Sequence, residues 1–142
     1  MDILFFCRDA LYDSLINNLT LAMSLQKGGK TTGIVFTGDA LHCLCNGMIK
    51  WPNSLVDVDA RKTILSGAKS LGLSLQNSRD PKSIDIKPLF LQAKESGVLL
   101  YACPVWTNLL QVAGKLPEGL SEIGMEKLLG EINSTSKVMG AL

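Results

Sequence analysis

Four cysteines and one histidine are the side chains of this 142-residue chain that are best suited to covalent or metal chemistry. A thiolate is a nucleophile and a metal ligand, and imidazole serves as a base and as a ligand. Cys7 and Cys103 stand apart in the sequence, whereas His42, Cys43 and Cys45 lie close together. Each thiol taken alone is most simply interpreted as a small hydrophobic group packed in the interior. Whether these residues form a functional site therefore depends on where the fold places them.

Short apolar runs alternate along the chain with segments of helical periodicity. The apolar runs suit strands buried on both faces of a parallel sheet. The predicted strands are residues 3–7, 33–37, 98–102 and 138–142, and the predicted helices are residues 10–27, 40–46, 60–71, 86–96, 104–113 and 125–133. Residues 73–84 are predicted to be a loop. This order predicts an α/β fold, a single-domain, doubly wound, mainly parallel β-sheet flanked by helices.

Acidic residues and glycines mark the expected helix ends. Asp9, Asp59 and Asp85 stand where an N-cap is needed, because a carboxylate there accepts hydrogen bonds from free backbone N–H groups. Gly28 and Gly72 stand where two of the helices are expected to end.

The candidate reactive residues share one position on the predicted sheet. Cys7 ends the first strand, His42, Cys43 and Cys45 follow the second, and Cys103 comes directly after the third. Ligands and catalytic groups of open α/β sheets gather at the carboxyl ends of the strands, because the loops converge there. The sequence therefore predicts that a functional site lies at this edge.

Cys103 is the best placed of the four thiols. Pro104 suits the first position of a helix, so the sulfur is expected at a helix N-terminus, where the partial positive charge favours a thiolate. No Lys or Arg adjoins Cys103 in the sequence. Arg8, at the end of the first strand, is expected at the same edge and is a candidate accessory residue.

The strand that ends in Tyr101-Ala102-Cys103, together with the segment from Leu116 to Gly124, resembles the DsrE/DsrF-like family of sulfur-relay proteins. The match also includes the first strand, the long helix after it, and Phe36-Thr37-Gly38-Asp39 at the second strand. The resemblance covers most of the chain and is weakest over residues 47–84.

This resemblance implies a three-layer α/β/α fold and a sulfurtransferase activity. In that family the cysteine after this strand accepts sulfur as a persulfide and passes it to a partner carrier, and Cys103 holds the matching position. Sulfur donor and acceptor proteins are the implied partners, and no cofactor is expected. Cys43, Cys45 and His42 are only candidate accessory residues, because they lie outside the matching pattern.

Two other functions remain open from the sequence. A non-catalytic subunit could use the same fold for assembly or small-ligand binding. A thiol oxidoreductase could pair Cys103 with Cys43 or Cys45, although the sequence contains no C-x-x-C motif.

A metal site is the main alternative for the cluster around residue 43. His42, Cys43 and Cys45 could ligate zinc with Cys7 or Cys103 as a further ligand. In a helix over residues 40–46, however, Cys43 points about 100° away from His42, and no second ligand pair exists. We therefore expect no structural metal.

Composition excludes several classes of partner. Charge is nearly balanced, with 14 Lys and Arg against 13 Asp and Glu, so nucleic acid is not an expected partner. No run of about 18 apolar residues is present, so no membrane span is expected. The first residues lack the pattern of a signal peptide, which predicts a cytoplasmic protein with reduced thiols.

We also expect a homo-oligomer. Met48, Ile49, Trp51 and Trp106 fall in segments without clear periodicity. Large apolar residues in such segments often form a surface that contacts another subunit. Members of the DsrE/DsrF-like family, which this chain resembles, also assemble into oligomers.

Overall fold

The structure, a computed structural model, describes residues 1–79 and 83–140. Its strands are β1 (Ile3–Cys7), β2 (Thr32–Phe36), β3 (Gln76–Asn77), β4 (Ile84–Asp85), β5 (Leu99–Ala102), β6 (Ser121–Glu122) and β7 (Lys137–Gly140). Its α-helices are α1 (Tyr12–Lys27), α2 (Gly38–Asn46), α3 (Val58–Ser70), α4 (Lys87–Glu95), α5 (Pro104–Leu109) and α6 (Met125–Ser134). A single 3₁₀ turn covers Asn53–Leu55.

Five of these strands form one parallel sheet in the order β6-β5-β2-β1-β7. The strands β1 and β2 lie at its centre, and every residue of β2 is buried. The short strands β3 and β4 form a separate antiparallel pair. A mainly parallel sheet flanked by helices confirms the α/β fold that the sequence predicts.

Alternate residues of the strands face two different apolar layers, because successive side chains of a strand point to opposite faces. Phe5 and Phe36 pack on one face with helices α1 and α4. Leu4 and Val35 pack on the other face with Leu128 of α6. The sheet is therefore covered on both sides, as parallel sheets usually are, because their crossover connections place helices on the faces.

None of the three predicted N-caps is the N-cap residue in the structure. Helix α1 begins after Leu11, and no side chain caps it, so Asp9 does not serve as its N-cap. Helix α3 begins two residues earlier than predicted because Asp57, rather than Asp59, accepts the N–H of Ala60 at 2.7 Å. Asp57 and Asp59 are both residues that suit an N-cap, and the helix uses the earlier one.

The N-cap residue of α4 is Ile86 instead of Asp85, although the Asp85 carboxylate accepts the Lys87 N–H at 3.0 Å.

Three other segments differ from the sequence prediction. The predicted loop over residues 73–84 contains β3 and β4, and residues 80–82 lie outside the described part. Helix α5 ends four residues early, and Gln111 then adopts a left-handed conformation with φ 56°. Strand β6 has two exposed residues and no apolar pattern that could predict it.

The final strand and two tryptophans also differ from the sequence prediction. The last strand was expected over residues 138–142 and is seen at Lys137–Gly140, with residues 141–142 outside the described part. Trp51 is buried and lies against the Tyr12 ring with centroids 4.8 Å apart, so it covers the core and is not part of an exposed surface. Trp106 lies in α5 rather than in an irregular segment.

Across residues 1–79 and 83–140 we find no helix with the length and apolar character needed to cross a bilayer.

Candidate functional site

A cleft of about 820 Å³ opens at the carboxyl ends of β1 and β2. The loop after β1, the first turns of α2, the segment before Trp51 and one side chain of α5 form its walls. The lining residues are Arg8, Asp9, Ala10, Leu11, Thr37, Gly38, Asp39, His42, Cys43, Met48, Lys50 and Trp106. This is the edge of the sheet at which the sequence predicts a functional site.

Backbone hydrogen bonds hold the walls of the cleft together. The Thr37 N–H donates to the Cys7 carbonyl at 3.0 Å, and the Ala40 N–H donates to the Arg8 carbonyl at 3.0 Å. The chain at Lys50 bridges to the loop after β1, because the Tyr12 N–H donates to the Lys50 carbonyl at 2.8 Å. These bonds fix three separate parts of the chain around one opening.

Charges around the cleft are balanced. Arg8 and Lys50 supply two cations, and Asp9 and Asp39 supply two carboxylates. His42 is exposed, with its Nδ1 atom 3.3 Å from the Asn46 amide nitrogen. The cleft thus offers polar groups of both signs around a mouth that Trp106 borders.

Cys43 forms part of the cleft wall but is held in its thiol form. Its side chain is only 7% exposed, and its Sγ atom donates to Asp39 Oδ1 at 3.5 Å. Burial raises the pKa of Cys43, and the hydrogen bond and negative charge of Asp39 raise it further. A thiol in this state is a weak nucleophile at neutral pH.

Cys103 lies at the carboxyl end of β5, where it is the N-cap residue of α5. Its N–H donates to the Phe36 carbonyl at 2.9 Å, and its carbonyl accepts bonds from both the N–H and the hydroxyl of Thr107. The side chain is 8% exposed and packs in the apolar layer that contains Tyr101 and Ile123. Helix α5 is shorter than predicted, so fewer aligned peptide dipoles contribute to the partial positive charge at its N-terminus, where Cys103 lies.

The other two thiols are less favourable as nucleophiles. Cys7 is fully buried, and burial raises its pKa from 9.0 to about 11. Cys45 is partly buried, and burial raises its pKa as well. Both thiols are therefore protonated at neutral pH.

The structure brings only some of the predicted residues together. Arg8, His42 and Cys43 line the cleft, whereas Cys45 and Cys103 do not line it. Trp106, three residues after Cys103, links α5 to the cleft wall.

Three charged groups of this cleft, Asp9, Asp39 and Lys50, are not among the site residues that the sequence predicts. Asp39 could have been found, because it lies one helical turn before Cys43. Lys50 has no local signal, since a tertiary backbone bridge to Leu11 brings it to the cleft.

A metal centre is not found in residues 1–79 and 83–140. Within them, no three or more His, Cys, Asp or Glu side chains are grouped in a way that could hold a metal ion. All four cysteines are free thiols.

Comparisons with known proteins establish the fold of this chain. No protein-family model and no curated protein matches the sequence. The structure resembles the ychN protein from E. coli, with a TM-score of 0.60 and 19% identity over 99% of both chains. It also resembles BT1422, a conserved protein of unknown function from Bacteroides thetaiotaomicron, with a TM-score of 0.55, 15% identity, and coverage of 99% of this chain and 95% of that one. The chain therefore shares the α/β fold of these two proteins.

Proposed function

We propose that this chain is a DsrE/DsrF-like sulfur-relay protein that carries sulfur as a persulfide on Cys103. The observation that carries the proposal is the position of this thiol. Cys103 follows β5 directly, at the carboxyl edge of a parallel sheet. The resemblance of Tyr101-Ala102-Cys103 to the DsrE/DsrF-like family implies that the sulfur-carrying residue lies at this position. The likeness in fold to ychN agrees with the α/β fold that this resemblance implies.

The state of the other thiols also supports Cys103. Burial raises the pKa of Cys7, Cys43 and Cys45, and at Cys43 the Asp39 carboxylate adds to the effect. Only the thiolate attacks sulfur, so a raised pKa lowers the active fraction at neutral pH. These three thiols are therefore weak nucleophiles toward a sulfur donor at neutral pH.

The proposed uptake step is a thiol exchange. The Cys103 thiol first releases its proton to solvent, and the thiolate then attacks the outer sulfur of a persulfide or polysulfide donor. A new S–S bond forms at Cys103, the S–S bond of the donor breaks, and the donor leaves as a thiolate. Delivery is the reverse exchange, in which an acceptor thiolate takes the outer sulfur and Cys103 returns to its thiolate form. The transferred sulfur keeps its oxidation state, so no external oxidant is required.

Burial of Cys103 restricts the donor. Because only 8% of the side chain is exposed, a linear polysulfide or the tip of a persulfide-bearing side chain can approach more easily than a bulky reagent. We propose that donor and acceptor are persulfide carrier proteins in the reducing cytoplasm, where free thiols persist.

Quantifying labile sulfur tests this function. Wild type, Cys103→Ser and Cys45→Ser are treated with polysulfide and desalted, and cyanide then releases the outer sulfur of each persulfide as thiocyanate. We expect about one sulfur per chain from wild type and Cys45→Ser, and less than about a tenth of that from Cys103→Ser, because burial raises the pKa of the competing thiols. Equal release from wild type and Cys103→Ser would contradict the proposal.

A second candidate function is a non-catalytic subunit with this fold. The observation that favours it is the packing of the Cys103 side chain in the same apolar layer as Leu4 and Val35, where an inert cysteine also fits. In that case wild type would take up no sulfur on Cys103, and Cys103→Ala would chiefly alter stability.

A further inference from the structure

The cleft at the carboxyl ends of β1 and β2 takes no part in the proposed sulfur transfer, because Cys103 does not line it. Its volume of about 820 Å³ lies in the upper part of the range of roughly 300–1,000 Å³ that small-molecule sites occupy. Its position, beyond the ends of parallel strands, is the one at which open α/β sheets bind ligands. The chemistry of its walls therefore indicates the class of ligand that fits it.

Two cations and two carboxylates surround this opening without pairing with one another. Arg8 and Lys50 supply the cations, and Asp9 and Asp39 supply the carboxylates. All four side chains are exposed, and in the part of the chain that the structure describes none of them forms a salt bridge. The cleft thus presents charges of both signs that a ligand can contact.

Two of these charges lie on either side of one wall residue, Cys43. Asp39 is held by the Cys43 thiol, which donates to its Oδ1 atom at 3.5 Å. Burial and Asp39 raise the pKa of Cys43, and the nearby positive charge of Lys50 opposes them. The backbone of Lys50 is fixed as well, because its N–H donates to the Ala10 carbonyl at 3.3 Å. A carboxylate and an ammonium group are therefore placed on one wall without forming a salt bridge with each other.

Trp106 and Met48 supply apolar surface at the mouth of the cleft. The Trp106 side chain is 38% exposed, and that of Met48 is 49% exposed. The indole ring lies close to the backbone at the start of α2, since a methyl group on Gly38 would be 3.9 Å from Trp106 Cε2. An apolar group of a ligand can therefore contact an accessible aromatic ring beside the four charges.

We propose that the cleft binds a zwitterion of about the size of a dipeptide, with an ammonium group, a carboxylate and an apolar side chain. The carboxylate contacts Arg8 and Lys50, and the ammonium group contacts Asp9 and Asp39. The apolar side chain lies on Trp106. A ligand with a single charge is attracted by one pair of groups and repelled by the other, so it binds less tightly. A single amino acid would fill only a small part of the volume.

Three forms of one dipeptide test the charge of the ligand. Glycyl-L-phenylalanine is a zwitterion, its N-acetyl derivative is an anion, and its C-terminal amide is a cation. In calorimetric titrations of the wild-type protein at low ionic strength, we expect the zwitterion to bind saturably and at least about tenfold more tightly than either blocked form. The reason is that each blocked form loses one charge-assisted contact. No saturable binding of the zwitterion, or equal affinity for the three forms, would overturn the proposal.

Two matched substitutions test the location. Lys50→Gln and Lys62→Gln both replace an exposed lysine with a neutral side chain, but Lys62 lies in α3 and does not line the cleft. We expect Lys50→Gln to weaken binding of the zwitterion at least about fivefold and to narrow its preference over the amide, because the carboxylate loses one of its cations. Lys62→Gln should leave both affinities unchanged, and thermal unfolding verifies that both variants are folded. Equal effects of the two substitutions would overturn the assignment of the ligand to this cleft.

Discussion

Burial of the Cys7 thiol makes the stability of the protein depend on pH in the alkaline range. The folded-state pKa is about 11 against an ordinary 9.0, so the unfolded chain loses its proton first as the pH rises. The stabilisation is complete below about pH 9 and is lost as the pH rises toward 11, with a total on the order of 2 kcal/mol.

Chemical unfolding at several pH values between 8 and 11 measures this effect. Cys7→Ala lacks the titrating group, so the difference in unfolding free energy between wild type and the variant should shrink across that window. A difference that stays constant with pH would show that Cys7 does not titrate as described.

Asp39 holds Cys43 in its thiol form. Burial is the largest cause of the raised pKa of Cys43, and the hydrogen bond and charge of Asp39 follow. We therefore expect Asp39→Asn to move the pH midpoint of Cys43 alkylation downward, as measured by mass spectrometry of its peptide.

The matched control for Asp39→Asn is Asp13→Asn, because Asp13 also lies in the first turn of a helix but does not contact Cys43. The midpoint of Cys43 alkylation should not move in this variant. Equal midpoints in both variants would mean that Asp39 does not act on the thiol.

At the scale of secondary-structure elements, the start of α3 gives a direct comparison of two caps. Asp57 accepts the Ala60 N–H, whereas Asp59 lies within the first turn. We expect Asp57→Ala to lower the free energy of unfolding by about 1 kcal/mol and Asp59→Ala by less than about 0.5 kcal/mol. Urea unfolding measures both, and a larger loss from Asp59→Ala would support the cap predicted from the sequence.

The reliability of the sequence prediction differs among elements. The central strands and α1 carry continuous apolar runs or regular helical spacing, so their existence is predicted well and only their ends shift. Strand β6 could not be predicted, because its two exposed residues are specified by pairing with Tyr101 and Ala102 rather than by local pattern. Helix α5 ends early because Gln111 turns into a left-handed conformation that its side chain does not signal.

At the scale of the whole molecule, α5 presents an apolar surface next to Cys103. Val105, Trp106 and Leu109 are exposed, and Leu109 is 64% exposed. We predict a homo-oligomer that uses this surface, because exposed apolar clusters of this kind mark contacts between subunits. Light scattering should give a mass that is a multiple of 15.3 kDa.

A charged substitution on the apolar surface of α5 distinguishes the loss of a subunit contact from a general effect on solubility. We expect Leu109→Lys to reduce the mass toward 15.3 kDa, since it places a charge in the contact. Leu71→Lys makes the same change at a residue that is 73% exposed beyond α3, and it should leave the mass unchanged. A wild-type mass near 15.3 kDa would contradict the prediction.

The position of the cleft at the carboxyl edge was predictable from the sequence, but its lining was not. Parallel strands carry Cys7 and Cys103 to this edge, and the helix after β2 brings Cys43. The cleft also needs Lys50 and Trp106, which tertiary contacts supply from distant segments. Burial of each thiol likewise depends on packing, so the sequence could not rank their exposure.

Competition among the four thiols for a limiting amount of polysulfide is the sharpest test of whether Cys103 is the sulfur carrier. Wild-type protein is treated with less than one equivalent of sulfur, and peptides are mapped by mass spectrometry. We expect a gain of about 32 Da per sulfur to appear first on the Cys103 peptide, because burial raises the pKa of Cys7, Cys43 and Cys45. Sulfur that appears first on Cys45, or equally on all four peptides, would contradict the assignment of Cys103 as the sulfur carrier.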